Sequence, residues 1–278
     1  MMSEGTVVMP GVYDAITAIA AVSEGFGALY ISGAALTNSQ VGVPDIGMAT
    51  LNEFTAQAAR ICQVAQVPVI SDADTGFGES WNVSRCVIEM ERAGLAGIHL
   101  EDQVMPKKCG HLDGKGLVSP EEMEQKIKAA VASKRCSEFM VIARTDARGV
   151  EGLEAGVERA KRYVQAGADA VFPEGLVSEE EFEAFRKAVK VPLLANMTEF
   201  GKTPIIPVSK FSELGYDMVI FPVSAMRVAL KAVKGFYNAL KNAGTQGGLL
   251  ETMTTRQELY ALIEYPEYEK LDAEWSKA

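Results

Sequence analysis

No apolar run in the 278-residue chain approaches the roughly 20 residues that a membrane-spanning helix requires, so a helical membrane protein is excluded. The opening stretch, MMSEGTVVMPGVYD, lacks the basic and then apolar layout of a secretory signal. Cysteine is scarce and unpaired: Cys62, Cys86, Cys109 and Cys136 lie far apart, and without an export signal they read as reduced thiols of a cytoplasmic protein. Basic charge is also short, with 27 Lys and Arg against 37 Asp and Glu for a net charge of −10. Nucleic acid and anionic membrane are therefore not expected as partners, because both need a clustered basic face. A small anionic substrate remains open, since a few arginines and a metal ion make a locally positive pocket. There is no Gly-rich dinucleotide fingerprint. DTGFGES, from Asp74 to Ser80, has its glycines at the wrong spacing and lacks the phosphate-loop lysine. Low-complexity segments and Pro-rich linkers are missing too.

What is present is a large apolar fraction, 48% of the residues, arranged as a repeating pattern. Eight short runs read as strands: TVVMPG, ALYISGA, VPVISDAD, GIHLED, FMVIART, DAVFPEG, VPLLANM and DMVIFPVSA. They are almost continuously apolar rather than alternating, as expected of parallel strands covered on both faces. Between them lie segments such as LNEFTAQAARICQVAQ and GLEAGVERAKRYVQAG, with apolar residues at i, i+3 and i+4. Ser119-Pro120 opens one such helix, and Gly94 and Gly167 each close one. Strand–helix units in series favour a (β/α)8 TIM-type barrel over an open doubly wound sheet.

The pattern changes after the eighth strand. AMRVALKAVKGFYNALKNAG reads as the last barrel helix, so residues 1–243 form the barrel and 244–278 a C-terminal helical extension within one domain. Leu259, Leu262 and Ile263 make an apolar stripe there, and Tyr260, Tyr265, Tyr268 and Trp275 add aromatic surface. So short a piece has little core of its own, and another subunit is the expected cover.

Active sites of such barrels lie at the C-terminal ends of the strands. Here those ends are polar: Tyr30 and Ser32-Gly33 on strand two, Asp72 and Asp74 on three, His99, Glu101 and Asp102 on four. Arg144 and Asp146 end strand five, Glu174 six, Asn196 and Thr198 seven, and Ser224 and Arg227 eight. Asp72 and Asp74, two apart on a strand, are expected to point to one face and to repel unless a cation lies between them. With Glu101 they form an all-oxygen set suited to Mg²⁺ or Mn²⁺ rather than Zn²⁺. Arg144 could pair with these acids or bind a substrate carboxylate.

Glu101 to Ser119, EDQVMPKKCGHLDGKGLVS, is too polar and Gly-rich for a barrel helix and reads as a long loop over the mouth. Lys107 and Lys108 before Cys109, and His111 after it, are expected to lower the thiol's pKa, so that Cys109 acts as acid or base near neutrality. Gly110, Gly114 and Gly116 would let the loop open and close.

KKCGH, with SDADTGFG before it and IARTDA after it, resembles the isocitrate lyase / phosphoenolpyruvate mutase superfamily, and the resemblance runs over essentially the whole chain. KKCGH and the short length point to its bacterial methylisocitrate lyase branch. The resemblance implies Mg²⁺-dependent cleavage of 2-methylisocitrate into pyruvate and succinate, a step of propionate catabolism through the methylcitrate cycle. It also implies metal ligation by Asp72 and Asp74, with Glu101 through water. Ser32, Gly33 and Ala34 would hold the pyruvate end, with Arg144 on its carboxylate. Gly110, Glu174, Asn196, Thr198, Arg227 and Arg256 would contact the succinate end. Cys109 would protonate the succinate carbanion, helped by His111, and Tyr30 would serve the hydroxyl side. A helix swapped between subunits and a homotetramer built from dimers are implied as well. Members usually carry a leading helix that this sequence does not show, and Ala34 stands where near relatives often have Gly. Phe172, Ile220 and Pro222 are candidates for a methyl pocket. The rival readings are a 2,3-dimethylmalate lyase or oxaloacetate hydrolase with the same loop, and a non-catalytic organic-acid-binding barrel.

Overall fold

The computed structural model describes residues 2–112 and 114–277. Eight strands, β1 (Val7–Val12), β2 (Leu29–Ile31), β3 (Val69–Asp72), β4 (Gly97–Glu101), β5 (Met140–Thr145), β6 (Ala170–Pro173), β7 (Leu194–Asn196) and β8 (Met218–Phe221), match the eight apolar runs. All neighbouring pairs are parallel, in the order β6-β5-β4-β3-β2-β1-β8-β7. A parallel bridge between Val171 and Leu193 joins β6 to β7 and closes the ring. The chain is a (β/α)8 barrel.

The helices follow in chain order: α1 (Ala15–Ser23), α2 (Gly33–Leu36), α3 (Leu51–Ala65), α4 (Ser80–Arg92), α5 (Pro120–Ser133), α6 (Leu153–Gln165), α7 (Glu179–Ala188), α8 (Val208–Leu214) and α9 (Ser224–Ala243). Local chemistry starts them. Asp14 accepts from the Thr17 amide at 2.8 Å, and Ser119 caps α5 ahead of Pro120. The helices bury one face against the barrel's outer surface through Phe54, Ile61, Val87, Ile127, Phe182 and Phe211. Inward-facing Met9, Tyr30, Ile70, Ile142, Phe172, Leu194 and Ile220 fill the barrel itself. Its interior is a packed plug, and chemistry is confined to the rim.

Beyond α9, Gly244 adopts a left-handed conformation (φ +66°) that ends the helix. A 3₁₀ turn at Gly247–Thr252, α10 (Arg256–Leu262) and α11 (Tyr265–Trp275) follow. None of α9, α10 and α11 contains a buried residue, although Val228, Leu230, Tyr237, Leu259, Tyr268 and Trp275 are exposed on them. No helix among the described residues is long and apolar enough to cross a membrane.

Candidate active site

The strand ends converge where expected, but by routes that sequence spacing does not capture. β3 stops at Asp72, and Asp74 lies beyond it with φ +46°, so the two acids do not share a strand face. A tight turn brings them together instead: the Asp74 amide donates to Asp72 Oδ1 at 2.9 Å. Asp72 Oδ2 accepts from the Gly33 amide at 3.2 Å, and a Cβ on Gly33 would lie 2.6 Å from that oxygen, so only glycine permits the approach. Ser224 and Arg227 likewise belong to the first turn of α9 rather than to the end of β8.

Burial opposes ionisation of Asp72, yet the His99 ring, Lys107 and Arg144 outweigh it and hold this carboxyl below the ordinary range. Asp74 is pushed up to about 7 by burial, against the pull of Lys107. Burial also raises Glu101 well above the usual carboxylate range, and neither of its oxygens has a hydrogen-bond partner. Among the described residues no three His, Cys, Asp or Glu side chains converge to hold a metal ion between them. The donor chemistry nonetheless suits a hard cation that retains water: buried carboxylate oxygens, both of those on Glu101 without a hydrogen-bond donor, and a surplus of acidic over basic side chains.

Part of that surplus is met by a lysine. Lys107 is buried, with its ammonium 2.8 Å from Asp74 Oδ1 and in contact with Asp45. It therefore faces the acids rather than the thiol, and burial raises the pKa of Cys109 despite its basic neighbours. The expectation of a lowered thiol pKa is overturned: desolvation exceeds the help from the His111 amide and Arg144. Burial thus favours the neutral thiol at Cys109.

Arg144 sits opposite Glu101 in the β4–β5 register and is flanked by carboxylates from three adjacent strand ends. Its Nε lies 3.3 Å from Glu101 and 2.9 Å from Asp146, and Nη1 lies 3.4 Å from Glu174. Burial would raise Glu174, but Arg144 and His111 hold it well below the ordinary range. Asp146 is held low in the same way, by Arg144 and Lys115 against burial. The Asn196 amide nitrogen points at Glu174, 3.2 Å away. His111 uses both ring nitrogens, accepting from the Lys202 amide at 3.0 Å and lying 3.1 Å from Glu174.

Deeper in the barrel, the Tyr30 hydroxyl is 2.7 Å from His99 Nε2, and His99 Nδ1 is 3.7 Å from Asp72 Oδ1. Burial lowers His99 to about 4, so the ring is neutral where its Nε2 is hydrogen-bonded to the phenol. Burial, and next Asp72, keep Tyr30 protonated well above pH 10.

Many of these residues line one narrow cavity of about 80 Å³ at the mouth. Its walls include Tyr30, Ser32, Ala34, Cys109, Gly110, Arg144, Glu174, Asn196, Thr198 and Arg227, with Phe172, Ile220 and Pro222 as the apolar side. Gly33, Asp74 and Glu101 lie immediately behind that surface, on Asp72, Lys107 and Arg144 respectively. Arg256 does not join them. It is exposed at the start of α10, and the preceding residues 251–254 pack by the end of α1, at the face of the barrel opposite the mouth. Arg227 is present but engaged, its Nη1 2.7 Å from Glu199 Oε2 and its guanidinium over the Phe200 ring. Asp45, Glu199, Lys115 and the pairing of His99 with Tyr30 escaped sequence reading. Asp45 in VPDIG had only its acidity as a signal, and Lys115 had none.

The phosphoenolpyruvate phosphomutase family model matches residues 1–241. The chain belongs to this family. Within the phosphoenolpyruvate phosphomutase family, it is 56% identical to a 2-methylisocitrate lyase of Aeropyrum pernix, over 98% of this chain and 87% of the relative. It is 48% identical to a 2-methylisocitrate lyase of Halalkalibacterium halodurans, over 100% and 91%. Among solved structures it resembles a 2,3-dimethylmalate lyase, with a TM-score of 0.92, 38% identity, and coverage of 98% and 92%.

Proposed function

We propose that this chain is a carbon–carbon lyase that cleaves 2-methylisocitrate into pyruvate and succinate. The observation that carries the reading is the placement of Cys109, whose pKa burial raises, on a loop that lies against the Arg144–Glu174 pair at the mouth. The likeness to 2-methylisocitrate lyases across nearly the whole chain supports the choice of substrate.

In this reading Arg144 binds the carboxylate of the pyruvate half, beside Ser32, Gly33 and Ala34. Asn196, Thr198 and Arg227 receive the succinate half, with Gly110 and Glu174 closing around it and Arg227 exchanging Glu199 for a substrate carboxylate. Arg256 has no place in this site within one chain. As the C2–C3 bond breaks, the C2 hydroxyl loses its proton toward the Tyr30 oxygen and its O–H electrons become the pyruvate carbonyl. Tyr30 can hand its own proton to His99 Nε2, whose imidazolium form would be stabilised by Asp72. The C2–C3 electron pair moves to C3 and spreads into the adjoining carboxylate, and Cys109 delivers its proton to C3. Because Cys109 is a thiol rather than a thiolate, it enters the reaction with that proton in hand. His111 orients Glu174 and the loop instead of touching the reacting carbon. The family is metal-dependent. A Mg²⁺ ion, for which Mn²⁺ could substitute, would be held by Asp72 and Asp74 with Glu101 reached through water, and would polarise the hydroxyl that becomes a carbonyl.

The exposed apolar residues of α9–α11 support a homo-oligomer in which a second copy covers this face, and we take the assembly to be a tetramer of paired dimers. We take the enzyme to be cytoplasmic, a reading with which its acidic charge is consistent.

A second reading, 2,3-dimethylmalate lyase, is favoured by the likeness to that solved structure. Pyruvate release measured from 2-methylisocitrate, 2,3-dimethylmalate and oxaloacetate decides between them. The highest kcat/KM is expected for 2-methylisocitrate, and a preference for either of the others overturns the assignment.

A further inference from the structure

The loop after β4, residues 102–112 and 114–119, carries a second buried lysine that plays no part in the acid cluster. The Lys115 side chain is only 3% exposed, with its ammonium 2.7 Å from Asp146 Oδ1 and in contact with the Gly110 carbonyl. Burying an ammonium is costly unless it is paired and hydrogen-bonded, and no core packing calls for a lysine here. Its two partners explain it. Gly110 is the neighbour of Cys109 at the loop's tip, and Asp146 is fixed on the barrel by its amide's bond to Asp102 Oδ1 (2.9 Å) and by Arg144 Nε on its Oδ2 (2.9 Å). The loop also meets the rim through the side chains of Lys107, on Asp74 and Asp45, and His111, on Glu174; its bonds to itself, Gln103 with Lys108 and Val104 with Gly116, shape it, while Lys115 grips the backbone of the tip.

We propose that Lys115 is the latch of this loop, a positioning residue that joins the Cys109–Gly110 tip to Asp146 and through it to Arg144. The inference deepens the lyase reading given above and rests on it for the kinetic part of the test. With the loop shut, Asp146 has two cations. With the loop open, Lys115 returns to water and Asp146 has Arg144 alone, so the carboxylate holds that guanidinium more tightly. Closure therefore does two things at once: it sets the thiol at the rim and loosens Arg144 for a substrate carboxylate. Gly110 forms part of the wall of the narrow mouth, so lifting the tip to admit substrate undoes this contact.

The test uses the full-length protein as wild type, Lys115→Met and Lys115→Arg. Alkylation of Cys109 by iodoacetamide is followed by peptide mass spectrometry, hydrogen exchange is followed in the loop peptides, and steady-state kinetics are measured on 2-methylisocitrate. Lys115→Met is expected to label Cys109 and exchange the loop roughly 10- to 100-fold faster, with kcat falling by a similar factor and the unfolding midpoint unchanged. Lys115→Arg, which keeps the charge, should recover a substantial part of both. Wild-type labelling and exchange in Lys115→Met, or equal losses in both variants, overturn the latch. Should wild type fail to cleave 2-methylisocitrate while the labelling pattern holds, the substrate assignment fails and the latch stands.

Discussion

Gly110→Ala gives the most direct check on the closed loop. Gly110 does not occupy a left-handed conformation, so alanine costs nothing in the backbone itself. The cost comes from what the new methyl meets: Arg144 Nη2 at 2.5 Å, Glu174 Cγ at 2.6 Å and Glu174 Cδ at 2.8 Å. Ordinary contacts between such atoms begin near 3.5 Å, so the tip must lift by roughly 1 Å, because Arg144 and Glu174 are buried and cannot retreat. A displacement of about 1 Å at a reacting group costs on the order of 100-fold in rate, equivalent to about 2.7 kcal/mol of barrier. Stability should be nearly untouched, since the loop contributes little to the core. Gly116→Ala is the internal control. It lies in the same loop, and its Cβ would sit 3.6 Å from the Val104 Cβ, an ordinary contact. Steady-state kinetics on 2-methylisocitrate, paired with thermal unfolding, read both variants. Gly110→Ala with near wild-type kcat, or the two variants losing activity equally, would refute the packing of the tip on Arg144 and Glu174.

Cys109→Ser, whose hydroxyl is a far weaker acid than the thiol, is expected to lower kcat by at least 100-fold while equilibrium binding of succinate is largely kept; unchanged turnover would argue for a non-catalytic barrel. Removal of divalent cation with EDTA should abolish turnover, and restored activity on adding Mg²⁺ checks the role given to Asp72 and Asp74. His99 is depressed to about 4, so it favours the folded state above its unfolded pKa near 6.5, and this contribution is lost as pH falls toward 4. Denaturant unfolding of wild type minus His99→Gln should therefore show stability falling by about 3 kcal/mol between pH 7 and 4, and a flat difference would show that the ring is not held neutral. Asp102→Ala strands Arg159, Tyr163 and Thr145, which all reach Asp102 in the interior, and should cost roughly 3–5 kcal/mol in urea unfolding.

The barrel was legible because parallel strands covered on both faces leave continuous apolar runs, and all eight strands lie where DAVFPEG, VPLLANM and the other runs placed them. The rim was legible in composition and less so in geometry. Asp72 and Asp74 meet, but through a turn with Asp74 at positive φ, which an alternation rule cannot anticipate. The electrostatics around Cys109 reversed, because local sequence shows the lysines nearby but not that Lys107 points at Asp74 and Asp45. Lys115 was invisible for the same reason: its partner Asp146 is 31 residues away. Arg256 lies outside the rim of its own chain, where no feature of a single strand–helix unit could have placed it.

The contact between the His111 ring and the Lys202 amide spans 91 residues and ties the loop after β4 to the segment after β7. The mouth is thus completed only when a late-made part of the chain arrives. A nascent chain that has left the ribosome up to β6 already offers the tip Arg144, yet the wall that Asn196, Thr198 and Arg227 add beside Cys109, and the Lys202 amide that His111 accepts from, are still to come. Half-barrel fragments and early termination products should accordingly carry a solvent-open thiol, which makes the assembled mouth a protection against oxidation during synthesis as well as a place for chemistry.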